Sequence, residues 1–159
     1  MTGNVVIRRA AERDVSSIVE LWKELMDFHK RYDRYFSRSR TGHEGFEDFI
    51  RGHIRSDTSC VFVAEAGEDI VGYCLVAIEK YPPVLEIQEY GRVHNLAVTK
   101  DRRGKGIGKR LFRKAVNWFR RKGIHRIEVC VATSNELARE FWARMGFTPY
   151  LETGFMKIP

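Results

Sequence analysis

The sequence predicts a mixed α/β fold in which a largely antiparallel central sheet is flanked by helices. Three observations support this prediction. β-branched runs alternate with segments of helical periodicity, two β runs flank a short glycine-containing turn, and glycine or proline ends several segments. At 159 residues the chain has the length of one ordinary domain. We therefore expect a single domain over residues 1–159.

The N-terminal part begins with a strand and two helices. Residues 5–8 are a β-branched run, and Asp14 is a candidate N-cap for the first helix. Apolar side chains recur at helical spacing in this helix, at Val15, Ile18, Trp22, Leu25 and Met26. A second helix is indicated by Phe46, Phe49, Ile50 and Ile54. The polar and basic segment between them, residues 29–42, is a candidate mobile loop facing the substrate.

An antiparallel hairpin is predicted next, because two β-rich runs, residues 60–65 and 70–79, flank a short turn. Two prolines at residues 82–83 end the second run, since proline cannot donate a hydrogen bond to a sheet. A further strand is clear over residues 93–98. Residues 82–91 before it are interpreted as a loop or an irregular strand start.

The C-terminal part alternates between helices and strands. One apolar helix face is formed by Ile107, Leu111, Ala115, Trp118 and Phe119. Gly123 suits the C′ position of that helix, and the alternation over residues 124–131 predicts a half-buried strand. A last helix is expected over residues 135–145. A final hairpin would pair residues 147–150 with 155–158.

Composition excludes some function classes and leaves others open. Hydrophobic residues make up 43% of the chain, which is enough for a sizeable core and excludes a disordered protein. The net charge of +7, from 28 Lys and Arg against 21 Asp and Glu, would attract phosphates or acidic partners. Nucleic acid, a nucleotide and an anionic membrane are all compatible with that charge.

The cysteines and the apolar segments bear on compartment. Cys60, Cys74 and Cys130 are odd in number and far apart, so we expect neither a disulfide framework nor a zinc site, and a reducing, cytoplasmic setting fits best. The longest uncharged stretch, residues 70–78, is well short of the roughly 20 residues of a membrane helix. Residues 1–9 lack the apolar region of a signal peptide. We expect a soluble, unexported protein.

The densest functional signal lies where the strand over residues 93–98 meets a glycine-rich turn, Arg103-Gly104-Lys105-Gly106-Ile107-Gly108-Lys109. Glycines let the backbone approach a ligand closely, and the free N–H groups at a helix start suit a pyrophosphate. A Walker A loop is excluded, because Arg103 replaces its first glycine and Arg110 replaces its Ser or Thr. A Rossmann fingerprint fits poorly, because the last glycine spacing is too short.

Two motifs in order identify a family. The turn matches R/Q-x-x-G-x-G/A, and a downstream block, Asn135-x-x-Ala138-x-x-Phe141-Trp142-x-x-x-Gly146-Phe147, matches N-x-x-A-x-x-hydrophobic-Tyr-x-x-x-G-F except at Trp142. The sequence thus resembles the GNAT superfamily of N-acetyltransferases. The order of elements also fits that family's fold, while the motif-level match covers residues 93–147.

The resemblance implies acetyl-CoA as cosubstrate, a primary amine as acceptor, and direct attack of the amine on the thioester. It assigns the pantetheine contact to the backbone of Leu96, Ala97 and Val98. It assigns the pyrophosphate contact to Arg103, Gly104, Lys105, Gly106, Ile107, Gly108 and Lys109. Asn135, Phe141 and Trp142 would line the acetyl and pantetheine arm, although Asn135 is also a plausible N-cap and the two aromatic residues also suit the core. We expect no metal.

His94 is the candidate catalytic base, because a neutral imidazole can accept the proton of the attacking amine and some members have a histidine at the matching place. Strand alternation puts His94 on the same face as Leu96, at the thioester end of the cofactor. A structural His94 is the alternative. The family's general-acid Tyr falls on Trp142, whose indole does not release a proton as a phenol does. Tyr150 or water would then protonate the thiolate, or the reaction needs no acid. The family's strand glutamate falls on Arg92.

Other functions and partners stay open at this point. A CoA-binding sensor without catalysis is kept open by Trp142. A nucleic-acid-binding module is disfavoured, because the basic residues cluster at one turn instead of forming a stripe interleaved with aromatic residues. A different acyl donor, and a polyamine, antibiotic, peptide N-terminus or lysine as acceptor, all fit. Glu86, Glu89 and Tyr90 are candidates for recognising a cationic amine. No membrane partner is expected, and a homodimer is one candidate for the oligomeric state.

Overall fold

The computed structural model describes residues 4–159, in which five strands form one sheet in the order β1-β2-β3-β4-β5. The strands are β1 Val5–Arg9, β2 Ser59–Ala66, β3 Asp69–Lys80, β4 Glu89–Val98 and β5 Ile127–Val129. The helices are α1 Val15–His29, α2 Gly42–Arg55, α3 Ile107–Arg121 and α4 Glu136–Arg144. Strands β1 to β4 are antiparallel neighbours, and β5 pairs with β4 in parallel. The predicted mixed, largely antiparallel sheet is confirmed.

The two faces of the sheet carry separate hydrophobic cores. Helix α3 covers one face with Leu111, Ala115 and Phe119, all fully buried. Helices α1 and α2 cover the other face with residues that include Ile18 and Ile50. Strands β2 and β3 are covered on both faces, which explains their near-continuous apolar sequences.

Strand β4 contains a β-bulge at His94. Val93 lies opposite Val76 of β3, but Asn95 lies opposite the adjacent Leu75, so His94 has no partner in the register. An inserted residue of this kind reverses the alternation of side chains that follows it. The strand begins at Glu89, four residues before the first clearly predicted strand residue.

Three predicted local features differ from the structure in part or in full. Asp14 occupies the N-cap position of α1, as predicted, but its side chain makes no capping hydrogen bond, because its carboxylate accepts hydrogen bonds from the Arg8 guanidinium and the Ala11 N–H instead. The final hairpin is absent, and the described residues 147–159 contain no strand. The residues of this segment favour strands, but a two-stranded hairpin that packs on no other strand or helix is only marginally stable. The strand predicted over residues 124–131 is formed only over Ile127–Val129.

Among residues 4–159, no helix combines the length and apolar character needed to cross a membrane. Met1, Thr2 and Gly3 belong to the stretch from which the absence of a signal peptide is predicted, and they lie outside the described residues.

Candidate active site

The site centres on an open edge of β4. Strand β5 pairs with β4 only at Gly91, Arg92 and Val93, whereas β4 continues to Val98. On its other side β4 stays paired with β3 as far as Val98, which lies opposite Gly72. No strand within residues 4–159 pairs with the β5 side of residues 94–98. The backbone there has no strand partner on this side and can bind an extended ligand arm as an added strand would bind, although the Val98 carbonyl oxygen already accepts a hydrogen bond from Arg103.

The turn after β4 presents backbone N–H groups to solvent. Gly104 and Gly106 have φ angles of +73° and +77°, values that L side chains rarely adopt. A Cβ atom at either position would meet no heavy atom within 4 Å, so the space above the turn is open. Gly106 is the N-cap of α3 and offers no capping side chain. The first N–H groups of α3 are thus available to an anion.

Basic side chains surround this turn. Arg103 donates from Nε to the carbonyl oxygen of Val98 at 2.9 Å, and its guanidinium carbon lies 5.7 Å from the centre of the Phe28 ring in α1. Lys105 donates to the carbonyl oxygen of Asp101 at 3.1 Å, and the Lys109 residue is exposed. The positive charges add to the favourable end of the α3 dipole.

The downstream block lies against this turn. A Cβ at Gly108 would be 3.4 Å from Leu96 Cδ2 and 3.4 Å from Phe141 Cε2, so β4, α3 and α4 meet closely there. Trp142 is buried and packs edge-on against Phe112. The predicted cofactor residues of β4, the turn and α4 are therefore brought together.

Some of these residues also have structural roles. The Asn135 side chain accepts a hydrogen bond from the Ala138 N–H at 3.1 Å and caps α4, which is the structural role that the sequence also predicts for it. Ala97 is buried in the core under α1 and α2, and Ile107 is buried in the core under α3.

His94 lies on the opposite face of the sheet from Leu96. Its ring centroid is 5.8 Å from that of His53 and 6.3 Å from that of Phe49, both in α2, whereas Leu96 packs in the core under α3. The prediction that the two side chains share a face is wrong. The bulge adds one unpaired residue, His94, to β4, and the side chains after it alternate in the opposite sense. His94 therefore approaches the open edge of β4 from the α2 side.

Glu79 holds the His94 ring. Nε2 of His94 is 2.8 Å from Oε1 of Glu79, and Oε2 of Glu79 accepts a hydrogen bond from the Tyr90 hydroxyl at 2.7 Å. Since a carboxylate only accepts, Nε2 carries the proton in the neutral ring and Nδ1 has the lone pair. Nδ1 has no hydrogen-bond partner among residues 4–159.

Several groups set the ionisation of this cluster. Burial lowers the pKa of His94 below its ordinary value, the Glu79 charge opposes this, and the Arg92 charge adds to it. Burial and the nearby His94 also lower the pKa of His53. Burial and the hydrogen bond to Glu79 raise the pKa of Tyr90 to about 12. Tyr90 is thus a bound donor and is not free to recognise a cationic amine.

A second polar cluster surrounds Glu128 of β5. Its carboxylate accepts hydrogen bonds from Tyr81, from Tyr150 at 2.7 Å and from Arg126 at 3.1 Å. Burial disfavours the charged carboxylate, but these hydrogen bonds together hold the pKa of Glu128 below its usual value. The Tyr81 and Tyr90 rings stack with centroids 4.1 Å apart, so the two clusters are adjacent.

Sequence reasoning did not single out Glu79 or Tyr81. Both lie near the end of β3, where the strand is leaving the core and polar residues are unremarkable. The pairing of Glu79 with Tyr90 across β3 and β4 is the one signal, and it needs the strand register to be seen.

Comparison with known proteins identifies the family. The sequence model described as the acetyltransferase (GNAT) family matches residues 18–147. The chain belongs to this family. That match includes the glycine turn, the open edge of β4 and the α4 block.

Individual relatives agree with the family assignment. An uncharacterized N-acetyltransferase of Methanocaldococcus jannaschii is 27% identical over 142 residues, which are 89% of this chain and 59% of the relative. Another, from Archaeoglobus fulgidus, is 27% identical over 86% of this chain and 88% of its own. The chain thus spans less than two thirds of the first of these GNAT relatives.

A solved structure shows the same fold. A predicted acetyltransferase from Clostridium acetobutylicum, solved with acetyl-CoA, superposes with a TM-score of 0.80 at 18% identity, covering 97% of this chain and 96% of that one. At that identity the likeness concerns the GNAT fold.

Proposed function

We propose that this protein transfers the acetyl group of acetyl-CoA to a primary amine. The observation that carries the proposal is the open edge of β4 next to a turn with two positive-φ glycines at the start of α3. An extended arm and an anionic pyrophosphate need these two features side by side. Acetyl-CoA supplies the acyl group as an activated thioester.

The cofactor residues divide by the part of the ligand they would hold. The backbone of Leu96, Ala97 and Val98 would hold the pantetheine arm, and residues 103–109 would hold the pyrophosphate. Phe141 and Gly108 would form the wall beside the arm, since they already meet at Leu96. Trp142 would act by shape, because it is buried among aromatic rings and its indole N–H cannot serve as an acid in the usual range.

His94 would accept the proton that the amine loses. In the reaction a nitrogen–carbon bond forms, the carbon–sulfur bond breaks, and the CoA thiolate leaves. The neutral His94 ring has Nδ1 free for a proton because Glu79 binds Nε2. Burial favours that neutral form, so the base is ready near neutral pH. Protonation of the thiolate is left to water, because the Tyr150 hydroxyl is bound to Glu128.

A matched pair of glycine variants tests cofactor binding. Gly106→Val should raise the acetyl-CoA dissociation constant about tenfold or more, roughly 1.4 kcal/mol, by closing the approach to the turn. Gly67→Val is the control, because Gly67 also has a positive φ, +67°, but lies in the β2–β3 turn. Calorimetry on both folded variants decides. Equal affinities would contradict the proposed pyrophosphate site.

Turnover is tested by acetyl-CoA consumption with a panel of amines. Acetylated product identified by mass spectrometry would support the transferase. Tight acetyl-CoA binding without any acetylated amine would instead support the CoA-binding sensor.

We also propose that two copies of the chain associate through residues 147–159. Leu151, Phe155, Met156 and Ile158 are 74–84% exposed, and clustered exposed apolar side chains are typical of an interface. Within residues 4–159, β5 is paired on one edge only, which leaves an edge for an added strand. Light scattering should give a dimer that Phe155→Glu converts to a monomer, while Glu152→Gln does not. A monomeric parent protein would refute this.

We further propose that the chain works as one domain in the cytoplasm. Both cores share the single sheet, and all three cysteines are free, as a reducing compartment favours. Limited proteolysis should release no stable fragment, and cell fractionation should recover the protein with the cytosol.

A further inference from the structure

Arg92 is an unpaired charge beside the proposed base. Its guanidinium lies 3.0 Å from the Cys130 sulfur, and no carboxylate of residues 4–159 lies within 4 Å of it. It lies on β4 opposite Glu128, one pairing step before β4 and β5 separate. Arg92 is therefore at the mouth of the opening and lacks the counter-ion that a partly buried arginine usually has.

The two strand carboxylates beside His94 and Arg92 already have partners. Glu79 binds His94 and Tyr90, and Glu128 binds Arg126 and two tyrosines. An incoming ammonium group that displaced either set would leave the hydroxyl of the half-buried Tyr81 or of the buried Tyr90 without its acceptor, which is costly. Among these strand residues, the charge near His94 that lacks a partner is thus the positive charge of Arg92.

The separation of Arg92 and His94 along β4 limits the size of a ligand that contacts both side chains. Both side chains lie on the α2 side of the sheet, and residues two apart on a strand are separated by roughly 6.5 Å. A ligand touching both would hold its anion and its amine a few bonds apart. A purely cationic amine would be repelled by Arg92, whereas an anion on the same molecule would pair with it.

We propose that the acceptor is a small amine that carries an anionic group, a carboxylate or a phosphate, bound by the Arg92 guanidinium. The inference rests on the proposed function and names its substrate class. Arginine suits this role because its planar fork binds carboxylate and phosphate oxygens in pairs. The amine of the bound acceptor would then face His94.

Charge-matched acceptor pairs test the proposal. The amines are glycine against glycinamide, β-alanine against its amide, and phosphoethanolamine against ethanolamine. The anionic member of a pair should have the higher kcat/KM. At a pH above the acidic limb, where His94 is neutral in both proteins, Arg92→Gln should lower kcat/KM for anionic acceptors by about tenfold to a hundredfold and change that for neutral ones far less, while Arg92→Lys should retain part of the preference. Arg121→Gln, at the exposed end of α3, is the control.

Product binding separates this inference from the proposed function. N-acetylglycine and N-acetylglycinamide are titrated by calorimetry into the CoA-loaded protein, with and without Arg92→Gln. Arg92-dependent binding of the anion without any turnover would support the anion site at Arg92 and contradict the transferase. Turnover or binding that is equal for both charge types, or unaltered by Arg92→Gln, would overturn the inference alone. Neither turnover nor Arg92-dependent binding would overturn both.

Discussion

The ionisation of His94 depends on groups from three elements. Glu79 of β3 contacts Nε2, Arg92 of β4 adds a positive charge, and His53 of α2 lies 5.8 Å away between ring centroids. The carboxylate favours the protonated ring, whereas burial and Arg92 favour the neutral ring. The neutral form predominates because burial is the largest of these effects.

This balance predicts opposite shifts in the pH profile of turnover. Glu79→Gln removes a charge that raises the pKa of His94, so the acidic limb of kcat should move to lower pH. Arg92→Gln removes a charge that lowers that pKa, so the limb should move to higher pH. His94→Ala should remove the limb and lower kcat by about 10² to 10⁴. The measurement is kcat against pH at saturating acceptor.

Two outcomes would contradict the assignment of the limb to His94. One is an unchanged limb in His94→Ala. The other is a shift in the same direction for Glu79→Gln and Arg92→Gln, since a single titrating group cannot respond alike to the loss of opposite charges.

At the scale of elements, residue spacing predicts those helices and strands that depend only on neighbouring residues. Spacing and glycine conformation predict the helices with apolar stripes, the β2–β3 hairpin and the start of α3 after Gly106. The glycine turn of the candidate site was visible for the same reason, because its motif is contiguous in the sequence.

Features that depend on the exact register between two strands could not be predicted from the sequence. The bulge at His94 is defined by the register of β4 against β3, and no residue type marks it. The Glu79–His94 contact follows from that register and could not be predicted without it. The hairpin expected after Gly146 shows the converse, since its β-prone residues find no partner strand within the described chain.

Replacing a glycine by alanine should have opposite effects on stability at Gly91, where β4 packs on α3, and at Gly45, which is open to solvent. A Cβ at Gly91 would lie 2.6 Å from the Phe119 ring, which is fully buried and cannot move aside. Gly91→Ala should therefore lower the free energy of unfolding by about 1–3 kcal/mol. Gly45 is in α2 and has no heavy atom within 4 Å of that position, so Gly45→Ala should raise it by about 0.5–1 kcal/mol.

Urea unfolding of the two variants and the parent protein checks this contrast. Equal stabilities for Gly91→Ala and the parent would show that β4 and α3 are less closely packed than these contacts indicate.

For the whole molecule, β4 joins two different environments. Its Leu96 side faces the core under α3 and the glycine turn, and its His94 side, which also carries Arg92, faces α2 and Glu79. The two sides meet at the unpaired edge beyond Val93. A cosubstrate bound along that edge and an acceptor bound from the α2 side would thus reach each other without any large rearrangement of the sheet.

The buried histidines predict how the stability of the whole protein responds to acid. Burial lowers the pKa of His29, His53 and His94 below 6.5 in the folded state. In the unfolded chain each regains about 6.5, so below that pH the unfolded state binds more protons and the free energy of unfolding falls. The loss is at most about 1.4 kcal/mol per pH unit for each histidine.

Thermal unfolding between pH 7.5 and 5.5 measures this loss, because Asp14, whose pKa is lowered by Arg8, affects stability only at more acidic pH. The transition temperature should decrease over that interval. His29→Gln should lose part of the decrease, since one of the three groups no longer titrates. A transition temperature that stays constant or rises on acidification would show that the three rings protonate as readily in the folded protein as in the unfolded chain, and His94 would then lack the neutral form that a base requires.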